Sequence, residues 1–231
     1  MRIPVAAVLL VALSFSARAQ ETGSEDAPEA GFLKVVNLVS LATPTYMRLG
    51  DFEFDGGRAI PTGDDSGTLA LRPDTYTFTV ANEGAEPASA SIDVEVEDGK
   101  NRIVVCYDEI VELRNGRSEA KLRLNLLREA PADEGPRLSL VSLLKRAAVP
   151  VEINGEASVL RDRQAHRAEP EIGEVVEVRV ENERVGRIEV AEPVHYLAFL
   201  YRDPASGEVA LSLVRNERLE YHPPLEDDAE E

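Results

Sequence analysis

The sequence predicts an all-β chain folded as two tandem antiparallel β-sandwich domains. Three observations carry that expectation. Apolar residues recur with period two in nearly every patterned segment. In "LRPDTYTFTV" (71–80), Tyr76, Phe78 and Val80 alternate with Thr75, Thr77 and Thr79, the pattern of a pleated strand that sends successive side chains to opposite faces. No segment beyond residue 19 carries the apolar stripe of a helix. Finally, "LKVVNLVSLATPTYMRLGD" (33–51) lies on "LSLVSLLKRAAVPVEINGE" (138–156) without a gap. Leu33 meets Leu138, Val36 meets Val141 and Gly50 meets Gly155, always at a spacing of 105. Short strands with one apolar face each bury that face by closing into two packed sheets.

Taken in chain order, residues 1–19 read as a secretory signal. Arg2 is followed by an apolar run from Ile3 to Phe15 and by Ala17-Arg18-Ala19, the charged start, apolar centre and small-residue end of a cleaved leader. The run is shorter than a bilayer requires. Residues 20–31, with "ETGSEDAPEA", read as a disordered acidic N-terminus. The first sandwich spans 32–128. It opens with an apolar strand, breaks at Pro44 and resumes to Gly50. "SIDVEV" then turns Ile92, Val94 and Val96 inward, and "NRIVVCYDE" and "KLRLNLLR" flank "NGR" (115–117). That turn is expected to hold positive φ at both Asn115 and Gly116.

Residues 129–136, "EAPADEGP", have the composition of a linker. The second sandwich spans 137–217. It has its own break at Pro150 and an inward set of Val176, Val178 and Val180. "HYLAFLYRD" and "EVALSLVR" match the end of the first copy, joined by a turn at "ASGE" (205–208). Residues 218–231, with "LEDDAEE", read as an acidic tail. The 212 residues that follow position 19 suit two domains of ordinary size, each with its own core.

"LKVVNLVS", "LRPDTYTFTV" and "DGKNRIVVCYDE" together resemble the Ig-like domain of unknown function found in bacterial surface proteins. That pattern prefers Gly where this chain has Asp74. The two-copy layout, the leader and the run from Val176 to Glu217 are similar to the family of the periplasmic alginate O-acetylation protein F. The resemblance implies tandem Ig-like sandwiches and an accessory role in periplasmic polysaccharide O-acetylation, beside an envelope protein such as an acyltransferase. It supplies no catalytic residue.

Composition narrows the chemistry. The formal charge is −18, and residues 1–19 hold Arg2 and Arg18 without an acid, so the remainder comes to about −20. Such a surface repels nucleic-acid phosphates and anionic lipid. A nucleophile–base pair is conceivable in "TGDDSG" and "DRQAH", with Ser66 as nucleophile, His166 as base and Asp162 as orienter. The spacing departs from the Gly-Asp-Ser and Asp-x-x-His of polysaccharide acetyltransferases, and polar turns account for both stretches. His166, His195 and His222 are scattered, which suits no zinc site. His195, alternating with Leu197 and Phe199, reads as a partly buried strand residue, and Cys106, the single cysteine, as a core thiol.

Sugar stacking needs exposed aromatic faces. The chain has no Trp and six Tyr, and Tyr46, Tyr76, Tyr107 and Tyr201 fall in strand patterns that suggest packing, while Tyr221 lies in the tail. "LRDRQAHR" (160–167) is the basic patch. The expectation is therefore an exported, non-catalytic adaptor with no cofactor, no metal and no catalytic residue. It would be periplasmic or secreted, and would contact an envelope protein, with polysaccharide a further partner. The alternative is an Ig-like surface interaction module, and a serine esterase or acetyltransferase is the remote one.

Overall fold

A computed structural model describes residues 29–127 and 135–219. The expected leader, most of the acidic start, most of the linker and most of the tail lie outside the described residues. The first repeat forms β1 (Gly31–Leu38), β2 (Thr45–Leu49), β3 (Phe52–Glu53), β4 (Asp65–Leu71), β5 (Asp74–Asn82), β6 (Ser89–Val96), β7 (Asn101–Glu112) and β8 (Ser118–Leu127). The second forms β9 (Arg137–Ser142), β10 (Ala148–Ile153), β11 (Glu156–Arg161), β12 (Ala165–Ala168), β13 (Val175–Val180), β14 (Glu183–Glu189), β15 (His195–Arg202) and β16 (Val209–Asn216).

The repeat seen in the sequence is a repeat of topology. The first copy has sheets β4-β1-β7-β8 and β3-β2-β5-β6; the second has β12-β9-β15-β16 and β11-β10-β13-β14, the same two orders. Each copy packs its two sheets face to face over its own core. In the first copy Leu33, Val35, Val104 and Cys106 meet Met47, Leu49, Phe78, Val80, Val94 and Val96. In the second, Leu138, Leu140, Tyr196, Ala198 and Leu200 meet Val149, Val151, Val176, Val178, Val180 and Ile188. The inward sets read from "SIDVEV" and "VVEVRV" are in place.

Three local expectations are corrected. The sheets are not purely antiparallel: β1 pairs with β7, and β9 with β15, in parallel. β1 leaves its sheet for β2 in the opposite one, so no hairpin fixes its direction against β7. The "NGR" hairpin is present, but Gly116 alone is left-handed, at φ 76°. Its N–H donates to Leu113 O, and Asn115 Oδ1 accepts from Arg117 N. The longer loop leaves only one position that needs positive φ.

The third correction is the largest. β1, β7 and β15 do not have one apolar face each; they are buried on both faces. Val36, Leu38, Ile103 and Val105 of the first copy form a further core with Leu197, Phe199, Tyr201 and Val214 of the second. Sheet β4-β1-β7-β8 therefore packs on sheet β12-β9-β15-β16, and the layers are stacked four deep. The seam is pseudo-symmetric. Val36 and Leu38 correspond to Val141 and Leu143 at the 105-residue spacing, and Val141 and Leu143 also pack against this core. Each fully buried aliphatic or aromatic side chain contributes about 1.5–3 kcal/mol, so the seam is a substantial part of the fold.

Candidate functional site

The conceivable serine site is not assembled. Ser66 lies in β4, where the pairing with β1 shifts register, and its Oγ accepts from Val35 N at 3.0 Å and donates to Gly67 O at 2.8 Å. The hydroxyl thus stitches an irregular edge. His166 sits in β12 of the other sandwich, paired with Leu140, with Nδ1 3.5 Å from Ser158 Oγ. Asp162 is ion-paired with Arg163 at 2.9 Å. Among the described residues no three His, Cys, Asp or Glu side chains converge as metal ligands. Cys106 is fully buried, and burial pushes its thiol far up from the ordinary range. His195 is more deeply buried than its pattern suggested, 4% exposed, with Nε2 2.9 Å from Ser139 Oγ.

Two regions concentrate polar chemistry. The first is the rim of the seam. Asp108, inside β7 and opposite Leu122, has a fully buried carboxylate. Its Oδ1 accepts from Ser40 N at 2.7 Å and Ser40 Oγ at 2.9 Å, and its Oδ2 from Lys145 Nζ of the second sandwich at 2.5 Å. Next to it, Glu109 is held by Arg123 at 2.8 Å and by Arg163 at 3.1 Å. The Arg123 hydrogen bond and then the Arg163 charge hold its carboxyl below the ordinary value of 4.5, outweighing partial burial. Lys145 and Arg163 both stand at φ 58°. That left-handed backbone is uncommon away from glycine, and here it aims two cations of one sandwich at adjacent carboxylates of the other. The basic stretch 160–167 thus spends Arg163 on the seam.

The second region is the outer face of β2, β5 and β6. Thr75, Thr77 and Thr79 line it as their alternation required. Thr77 Oγ1 donates to Asp93 at 2.8 Å, and the hydroxyls of Thr79 and Ser91 lie 2.9 Å apart. Tyr46 also lies here, 47% exposed, which corrects its expected packing role. "TYMRL" buries Thr45, Met47 and Leu49 and exposes Tyr46 and Arg48, so the alternation itself carried the signal. The other strand tyrosines do pack: Tyr201 is buried, and Tyr76 and Tyr107 are half-buried. In the second sandwich the corresponding face, on β10, β13 and β14, is a charge ladder. Arg179 meets Glu177 at 2.7 Å and Glu152 at 4.0 Å, and Arg187 meets Glu189 at 3.3 Å.

No family model matches the chain, and no curated protein does. Among solved structures it is similar to the Bacillus anthracis TIE protein at 10% identity, covering 73% of this chain and 33% of that one, with a TM-score of 0.25. The chain therefore spans about a third of that protein's length, and the likeness carries no argument. The architecture and its faces define an all-β protein of two packed sandwiches.

Proposed function

We propose that the protein is an exported, non-catalytic adaptor of the cell envelope, with an accessory role in periplasmic polysaccharide O-acetylation. The observation that supports this reading is the stacking of the two sandwiches. Their inner sheets join at the seam, and their outer sheets turn two chemically different faces in opposite directions, one of hydroxyls with Tyr46, one of paired charges. Such a body holds two unlike surfaces at a set separation, which is what an adaptor does. The bonds made by Ser66 and Asp162, and the placing of Ser66 and His166 in different sandwiches, fit a role without covalent chemistry. The charge of about −20 favours a basic or neutral protein surface as partner. The leader-like residues 1–19 and the family resemblance favour the periplasm.

The experiment is co-purification from the native envelope at low and high salt. An acyltransferase-type or other envelope protein is expected at low salt and weakly at high salt, since exposed charges are screened within about 10 Å at 0.1 M. Reversing Glu152 and Glu177 to Lys should reduce its recovery, since both acids lie on the charged outer face, whereas Tyr46→Ala should not. Recovery of no protein at either salt would sink the adaptor reading.

A further inference from the structure

We infer that the outer face of β2, β5 and β6 is a binding site for a neutral polysaccharide chain, with Tyr46 as its stacking platform. The site deepens the adaptor reading by naming what one of the two faces holds, and it stands or falls on its own measurement. Four features converge on it.

The first is the placing of the ring. Abreast of Tyr46 across the sheet stand Ala81 and then Ser89, and cross-strand neighbours lie only about 5 Å apart. Both are small, so they cover little of the ring, which is 47% exposed. An exposed tyrosine ring is an apolar patch with a polar tip, suited to the C–H face of a pyranose.

The second is the row below it. Arg48 is exposed and abreast of Thr79 and Ser91, and Glu53 lies opposite on β3. Donors and acceptors therefore alternate beside the ring. Outward side chains recur every ~6.6 Å along a strand and strands every ~4.8 Å, a regular lattice of hydroxyls set against a polymer of hydroxyls. The third is concavity. The 3₁₀ turn Phe54–Gly57 rises beside β2, and Tyr46, Arg48, Glu53, Gly57, Arg58 and Thr79 line a shallow cleft of about 310 Å³, at the small end of ligand-site volumes. Gly57 holds φ +80°, and a Cβ there would come within 2.6 Å of the Glu53 carboxylate, so the turn packs closely against the cleft wall.

The fourth is charge. Arg58 is paired with Asp55 at 2.7 Å, and Arg48 faces Glu53 across the β2–β3 register. The cleft is balanced within a chain whose formal charge is −18. A uronate polymer meets no excess of positive charge here and is repelled by the rest of the surface, whereas a neutral glycan exchanges hydrogen bonds without that penalty. A protein ligand would need a wider apolar centre than one tyrosine.

The test uses the full chain with a soluble neutral β-glucan, a neutral galactomannan and alginate, by affinity electrophoresis and titration calorimetry. At least one neutral glycan is expected to bind. Tyr46→Ala is expected to weaken that binding tenfold or more, Arg48→Ala less, and Glu152→Ala on the other outer face not at all. Thermal midpoints should stay unchanged in all three variants, which separates lost contact from lost fold. Absence of binding to both neutral glycans overturns the site, as does undiminished binding by Tyr46→Ala. Tighter binding to alginate than to either neutral glycan overturns its assignment to a neutral chain. Failure here with an envelope partner still recovered leaves the adaptor reading standing; glycan binding without any protein partner does the reverse.

Discussion

At corresponding places on their outer sheets, the first sandwich turns Thr75, Thr77 and Thr79 to solvent from β5, and the second turns Glu177 and Arg179 from β13. On the inner sheets the same two copies agree closely. Leu33 and Leu138 are both fully buried, and Val36 and Leu38 share the seam with Val141 and Leu143. Burial explains the contrast. An inner position must match both a core and the seam, and a close-packed interior tolerates little change of volume. An outer position faces water on one side, and substitutions there shift stability by within about 0.5 kcal/mol. The copies therefore share what folding requires and diverge where a partner would touch them.

The strongest test of that contrast is Phe199→Ala, in the seam. Phe199 is 4% exposed and belongs to the core shared by both copies. The substitution should cost about 3–5 kcal/mol in denaturant unfolding, whereas Tyr46→Ala on the outer face should leave the midpoint near that of the parent. Equal effects would erase the distinction between seam and face.

A smaller effect is expected at the rim. Asp108→Ala strands the Ser40 N–H and the Lys145 ammonium, both of which point at the missing carboxylate. The loss should be about 1–3 kcal/mol, and Lys145→Met made together with it should restore part of this. If the double variant is no better than Asp108→Ala alone, Asp108 and Lys145 are not coupled across the seam.

The smallest effect is a pH dependence. Glu109 has a folded pKa below its ordinary value of 4.5, through Arg123 first and Arg163 second. A depressed carboxylate contributes stability that is complete above its unfolded pKa and is lost as pH falls through the folded one. The stability gap between the parent and Glu109→Gln should thus be constant at neutral pH and close as pH drops below 4.5. A gap that widens in acid would reverse the sign.

Much of the fold was legible. The 105-residue repeat, the inward valines of β6 and β13, and the glycines that close β2 and β10, Gly50 and Gly155, follow from local pattern. Parallel pairing of β1 with β7 was not legible, because strands some seventy positions apart leave no local trace of direction. The seam did leave one. "FLKVVNLV", "RIVVCY" and "HYLAFLY" are nearly unbroken apolar runs, the signature of strands covered on both faces, and a reading of two sandwiches with separate cores had no second cover to assign them. Tyr46 shows the converse error: residue type suggested packing, while its alternation with Met47 placed it outside.

The strand registers also bring the start and end of the first sandwich and the start and end of the second to one pole. Phe32 lies beside Asn101, Leu127 beside Ile103, and Arg137 and Asn216 flank His195. Asn101 Nδ2 in turn donates to Asn216 Oδ1 and to Glu217 O. Entry to the first sandwich, passage to the second and exit from it thus share a single pole, while Lys145, Arg163 and the hairpin at Gly116 stand at the other. The first strand therefore starts, and the last strand finishes, on one side of the molecule, so the Lys145–Asp108 pole is the face farthest from both.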